Sequence, residues 1–317
     1  MKRRLRVQKL GDRILMAAEG SETVIQATNV DVVELVGNLT AEVDYGNGRS
    51  ETLSVPRPEE GRIKFRFEFL NTSFLNAGRR SVIQAAGNYV ASLLDDSLKE
   101  IRPVGNDQWT PQVINPNNPI GPGNQPNFFS PNIQVVPANE IVVYVGAATF
   151  TGDFASSDAL AGYSGYSNLN GSADFVDTVQ ARGQSGALAT APTDIGPWGG
   201  FLSLNASRSF SATLDPAQIA PGEIDLFAVA SHELMHVLGL GIVPDQGDTN
   251  VWQTRTSGGV FNGVNARSVF GDNVPLNAER SHLSQSVLNT VDTVFTPFID
   301  RPTLSALDLA LLRDVGW

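Results

Sequence analysis

The apolar positions of the chain change period several times, and each change marks an element. Ile63-Lys64-Phe65-Arg66-Phe67-Glu68-Phe69 alternates strictly, which predicts a half-buried strand. From Ser73 to about Leu98 the spacing turns helical, with Val82, Ala85, Ala86, Tyr89, Val90, Leu93 and Leu94 on one broad face. Residues 102–139 are rich in Pro, Asn and Gly and predict a long loop. Glu140-Ile141-Val142-Val143-Tyr144-Val145 is apolar without alternation, as expected of a central strand covered on both faces. A second loop, rich in Gly, Ser and Tyr, follows, with a short helix at 173–182. Gly199-Gly200-Phe201-Leu202-Ser203-Leu204-Asn205 predicts a further strand, and Ile224 to about Leu240 a helix. A last helix spans 303–314, with Ser305 and Asp308 spaced as a capping box. There is no internal repeat.

Before residue 61 the apolar residues cluster and alternate (Val24, Ile25, Val30, Val32, Val33, Leu35, Val36, Ala41, Val43). With the turn signal Gly46-Asn47-Gly48 they predict strands and a hairpin. Ala41 to Gly48 resembles part of an immunoglobulin-like repeat, and this segment is expected to pack on the main body. The pattern as a whole predicts an α+β protein in three parts: an N-terminal segment 1–20, a small β-rich segment 21–60, and a main domain 61–317.

Composition narrows the function. Residues 1–20 carry six bases against Asp12 and Glu19, a net of +4, which leaves −15 on the rest of a chain whose total is −11. An acidic body of this kind repels nucleic acid and anionic lipid, so neither is an expected partner. The chain has no cysteine, which excludes disulfides, thiolate metal sites and cysteine nucleophiles. No apolar run approaches the length of a membrane span. The basic string Arg3 to Leu15 resembles a short N-terminal motif of predicted surface proteins from one bacterial group, which implies a secreted or cell-surface protein; a disordered basic tail is the alternative.

The chemistry lies in Ser231-His232-Glu233-Leu234-Met235-His236. Four residues apart on a helix, His232 and His236 share one face, and two imidazoles so placed suit a single tetrahedral Zn²⁺. Glu233, one position along, is placed to take a proton from an activated water and hand it to a leaving amine. Aliphatic residues on both sides (Val229, Ala230, Leu234, Val237, Leu238) bury the helix, where two neutral histidines beside a glutamate are costly without a metal. His282 is the only other histidine in the chain. Asp245 and Asp248 are the alternative third ligands, since zinc also accepts carboxylate. Acidic loops such as 245–248 also admit Ca²⁺, with no pattern that assigns it. Gly162-Tyr163-Ser164-Gly165-Tyr166 lacks the second glycine of a nucleophile elbow and reads as a mobile loop near the cleft.

Asp225 to Gly241 is similar to the active-site helix of the metzincin metallopeptidases, the matrixins above all. Gly239 stands where that family turns its chain back to the metal. The family's third histidine would fall at Ile242. The distant His282, Thr296-Pro297 and the closing segment 308–317 resemble leishmanolysin-like peptidases, whose pattern implies that His282 completes the zinc site. The resemblance implies a zincin-like fold: an upper lobe (61–241) with a mixed sheet and two long helices, and a mostly irregular lower lobe (242–317) ending in a helix. It also implies a protein or peptide substrate, bound along an edge strand at Gly200, Phe201, Leu202 and Ser203; an ordinary sheet strand is the other reading of that segment.

Two departures stand against the family pattern. Met1, Met16 and Met235 are the only methionines, so the usual methionine turn is replaced by Val294-Phe295. No tyrosine follows His236. The expected function is zinc-dependent endopeptidase; the alternative is a zincin-fold surface or adhesion protein with little or no catalysis.

Overall fold

The structure is a computed structural model. It describes residues 63–71, 73–242, 250–288 and 304–317, together with the backbone of six short strands before residue 55. The chain divides into two units, Met1–Glu60 and Gly61–Trp317.

In the first unit β1 (Arg6–Leu10), β2 (Arg13–Ala17) and β3 (Ala27–Thr28) form one antiparallel sheet. A second comprises β4 (Val32–Val36), β5 (Thr40–Asp44) and β6 (Ser50–Ser54). β5 and β6 pair with Asp44 opposite Ser50, across the Gly46-Asn47-Gly48 signal; the turn residues themselves lie outside the described residues.

The second unit begins with β7 (Lys64–Phe69), α1 (Ala77–Ala91), β8 (Gln108–Ile114), β9 (Phe128–Phe129) and β10 (Glu140–Ala148). Then come β11 (Ala159–Tyr163), β12 (Gly165–Asn170), α2 (Ala173–Ala181), β13 (Gly199–Asn205) and α3 (Leu226–Val237). The remainder holds α4 (Val251–Thr254), β14 (Thr256–Ser257), β15 (Val260–Phe261), α5 (Val264–Phe270), β16 (Val274–Pro275), α6 (Gln285–Leu288) and α7 (Ala306–Asp314). The architecture is α+β, with seven α-helices among the described residues and none long and apolar enough to cross a membrane.

A four-stranded mixed sheet, in the order β11-β13-β10-β7, organises this unit. β10 runs parallel to both β7 and β13, while β11 is antiparallel to β13. Central placement explains the flat polarity of β10: Ile141, Val143 and Val145 enter one core cluster with α1 and α3, and Val142 and Tyr144 enter another with Trp109, Phe175 and Trp198. Asn76 caps α1 by accepting from the Arg79 N–H at 3.0 Å. The helix stops at Ala91, short of the spacing to Leu98, yet Leu94 and Leu98 remain buried. Apolar spacing there reported burial that continues after the helix ends.

Both predicted long loops contain strands. β8 and β9 fall within 102–139, and β11 and β12 within the Gly/Ser/Tyr-rich stretch. β8 buries Trp109, Pro111 and Val113 in alternation, a pattern masked by the proline and by Thr110 and Gln112 between them. The C-terminal part, expected to be mostly irregular, is a mosaic of short elements sharing the α3 core through Trp252, Phe261, Leu283 and Leu311. The capping box of α7 is formed, with Ser305 Oγ accepting from the Asp308 N–H at 3.1 Å.

The segment Gly200, Phe201, Leu202 and Ser203, expected at the sheet edge, is interior. It is hydrogen-bonded to β10 on one side and β11 on the other. The edges of this sheet are β11 and β7, so these four residues lie between paired strands and not at an edge.

Candidate metal centre

Local rules build α3. Asp225 caps it, its Oδ1 accepting from the N–H groups of Phe227 at 2.9 Å and Ala228 at 3.4 Å. Apolar residues on nearly every side bury the helix against α1, β11 and β13. It ends at Gly239, which takes φ +96°. Gly239 N–H donates to the His236 carbonyl and Leu240 N–H to the Met235 carbonyl, both at 3.0 Å, the bond pair of a left-handed helix stop. A Cβ at Gly239 would also stand 2.7 Å from Ile195 Cδ1. This turn carries the Leu240 carbonyl back to His236, whose Nδ1–H donates to it at 2.9 Å.

His282 arrives on a separate loop. Leu276 and Leu283 form an isolated antiparallel bridge, and between them the Asn277 N–H donates to the His282 carbonyl at 2.9 Å. Trp252 Nε1–H ties the loop to the core by donating to the Arg280 carbonyl at 2.9 Å.

The three rings meet at their Nε2 atoms. His232 and His282 are 3.1 Å apart, His236 and His232 3.2 Å, and His236 and His282 3.2 Å. Leu240 offers only an acceptor, so His236 Nδ1 carries the proton and its Nε2 presents a lone pair to its neighbours. Burial, with His232 and His282 nearby, holds His236 well below the usual imidazole range. Burial and His232 push His282 down to about 3, so both rings are neutral near pH 7. Three converging ring nitrogens, two of them on neutral rings, are a ligand set. Tetrahedral zinc at about 2.0–2.1 Å from each nitrogen requires N···N separations of about 3.3–3.4 Å, close to those found. Among the described residues this is the one group of three or more His, Asp or Glu gathered to hold a metal ion.

Glu233 is 6% exposed. Burial first, and the charge of Asp158 second, push its carboxyl up to about 8. Asp158 directly precedes β11 and pairs with Arg208 at 3.1 Å. Local pattern holds no sign that Asp158 and Glu233 influence each other; the packing of β11 on α3 brings them together.

Of the other residues singled out, Ile242 is half-buried and its carbonyl accepts from Asn250 Nδ2 at 2.8 Å. Asp245, Asp248, Val294 and Phe295 lie outside the described residues. Met235 is fully buried in α3. Asn277 and Ser281, which contact His282 and its loop, went unnoticed in the sequence; the polar Ser281 beside a ligand histidine was the available signal.

Fold and site together define a mixed α+β protein with a buried three-histidine centre able to hold a metal ion. Comparison with protein-family models, curated proteins and solved structures finds no match to this chain.

Proposed function

We propose that the chain is a zinc-dependent endopeptidase of the metzincin type, with a zincin-like main domain. The convergence of three Nε2 atoms within 3.1–3.2 Å, with the buried Glu233 on the same helix, carries this reading. His232, His236 and His282 would hold Zn²⁺, and a three-histidine set leaves one coordination position open, as catalytic zinc sites do. Bound there, zinc would supply Lewis acidity that lowers the pKa of a water and polarises a scissile carbonyl.

Glu233 supplies the proton transfers. Its carboxylate accepts a proton from the attacking water and releases it to the departing amine, an exchange suited to a group whose pKa lies near the working pH. A cation held by the neighbouring histidines favours the ionised form needed for the first step. Burial excludes competing water from the carboxylate.

An extended peptide has a docking edge in β11. The Ser164 N–H donates to the Gly199 carbonyl and the Asn205 N–H to the Asp158 carbonyl, both at 2.8 Å. This register turns the backbone groups of Ala159 and Ala161 away from β13. β11 also packs on α3, so a peptide added there runs alongside the helix that carries the histidines.

The test is metal content and peptidase activity of the purified protein and of His282→Ala. Stoichiometric zinc with protein hydrolysis, both lost in the variant, is expected. Zinc retained in the variant moves the third ligand to Asp245 or Asp248. Zinc without hydrolysis leaves a non-catalytic zincin-like protein, and no zinc after reconstitution sinks the proposal.

A further inference from the structure

The peptide unit between Leu238 and Gly239 is held at both ends. Its N–H, on Gly239, donates to the His236 carbonyl at 3.0 Å. Its carbonyl, on Leu238, accepts from the indole Nε1–H of Trp317 at 2.8 Å, from 79 positions further along the chain. The direction of that bond is fixed, because an indole N–H can only donate and a carbonyl can only accept. Leu238 is fully buried, and among the described residues the indole is the donor that satisfies its carbonyl.

Two close approaches bring the indole there. Gly316 takes φ +108°, and a Cβ on it would overlap Asp194 Oδ1 and lie 2.7 Å from the Asp194 Cα. The next residue, Ile195, fills the space beside Gly239, where a Cβ would stand 2.7 Å from its Cδ1. One dipeptide, Asp194-Ile195, thus packs on both glycines and sets Trp317 beside the end of α3. Beyond Gly239 the chain returns at Leu240, whose N–H donates to the Met235 carbonyl and whose own carbonyl accepts from His236 Nδ1 at 2.9 Å. We propose that Trp317 is a positioning residue for His236: it fixes the Leu238–Gly239 peptide unit, and through that unit the Leu240 carbonyl that orients the ring. The segment after α7 thereby supports a ligand carried on α3.

This inference rests on the metal-centre reading for its purpose, but the turn is measurable without metal. Trp317→Phe keeps an aromatic ring and removes the N–H. Hydrogen exchange of the metal-free full chain near pH 7, read by NMR, should show the Gly239 and Leu240 amides exchanging several times faster in the variant, relative to the amides of β10. Zinc affinity from competition with a chelator should fall about 3–10-fold, the effect of one lost hydrogen bond felt at the ligand. Gly316→Ala, which displaces the indole by another route, should change both in the same direction. Arg313→Ala, at an exposed position of α7, should change neither.

Unchanged exchange at the turn in Trp317→Phe, or faster exchange spread evenly over the domain, overturns the proposal. So does an unchanged zinc affinity in a wild-type protein that binds zinc. Should the turn respond as stated while wild-type protein takes up no zinc, the support of the turn by Trp317 stands and the metal-centre reading fails.

Discussion

His236 is held by the carbonyl of Leu240 at 2.9 Å, across the end of its own helix. The bond exists because Gly239, between them, takes φ +96° and folds the chain back. One glycine thus both ends a helix and sets the tautomer of a candidate ligand.

Gly239→Ala should therefore do two things. The left-handed backbone costs about 1–2 kcal/mol for a residue with a Cβ, and the contact with Ile195 adds to it. Calorimetry should show a drop of about 2–4 °C per kcal/mol for a domain of this size. Zinc affinity should also fall about tenfold or more, as His236 loses its orienting partner. An unchanged affinity would separate the turn from the metal centre.

Glu233→Gln should keep the zinc and lose the chemistry. The amide is close in shape but cannot take a proton from water. We expect kcat for a peptide substrate to fall by about 10²–10⁴, with metal content by elemental analysis unchanged. Residual activity near the wild-type level would remove Glu233 from the reaction.

The edge role of β11 is testable by removing one outward N–H. Ala161→Pro leaves the β11–β13 bonds intact, because the Ala161 amide points away from β13. A single lost hydrogen bond is worth about 0.5–1.5 kcal/mol, so KM should rise up to about tenfold while the fold, by circular dichroism, is retained. Equal kinetics in the variant would place the peptide elsewhere.

Arg182 offers a prediction about stability alone. It is fully buried at the end of α2 and donates to the carbonyls of Lys99 at 2.5 Å, Pro137 at 2.8 Å, Glu140 at 3.0 Å and Pro197 at 3.4 Å. Burial pushes its pKa down to about 10, so it remains a cation near pH 7. Arg182→Met strands those carbonyls in the core and should cost about 3 kcal/mol or more in denaturant unfolding. Zinc content of the folded protein should not change.

Much of this was legible in one dimension, and what was missed has a common cause. The α3 helix, its paired histidines and its glycine stop are set by contacts three to five residues apart, and so was the capping box of α7. β10 announced its central place by losing alternation. β8 and β11 were hidden, because Pro111 interrupts one and small residues fill the other. A strand's identity there comes from its partner more than from its own residues.

Local spacing therefore determined where two imidazoles share a helix face with a carboxylate one position along, since a 3.6-residue period brings positions four apart onto the same side. It could name His282 only by elimination and resemblance, because 46 positions separate it from His236. The fold alone decided that its Nε2 closes the triangle. It also decided that β11 is an edge strand of the four-stranded sheet, with Gly200 to Ser203 enclosed between two neighbours. Register, edge and convergence are relations between distant segments, set by which surfaces bury each other, and no short window of sequence contains them.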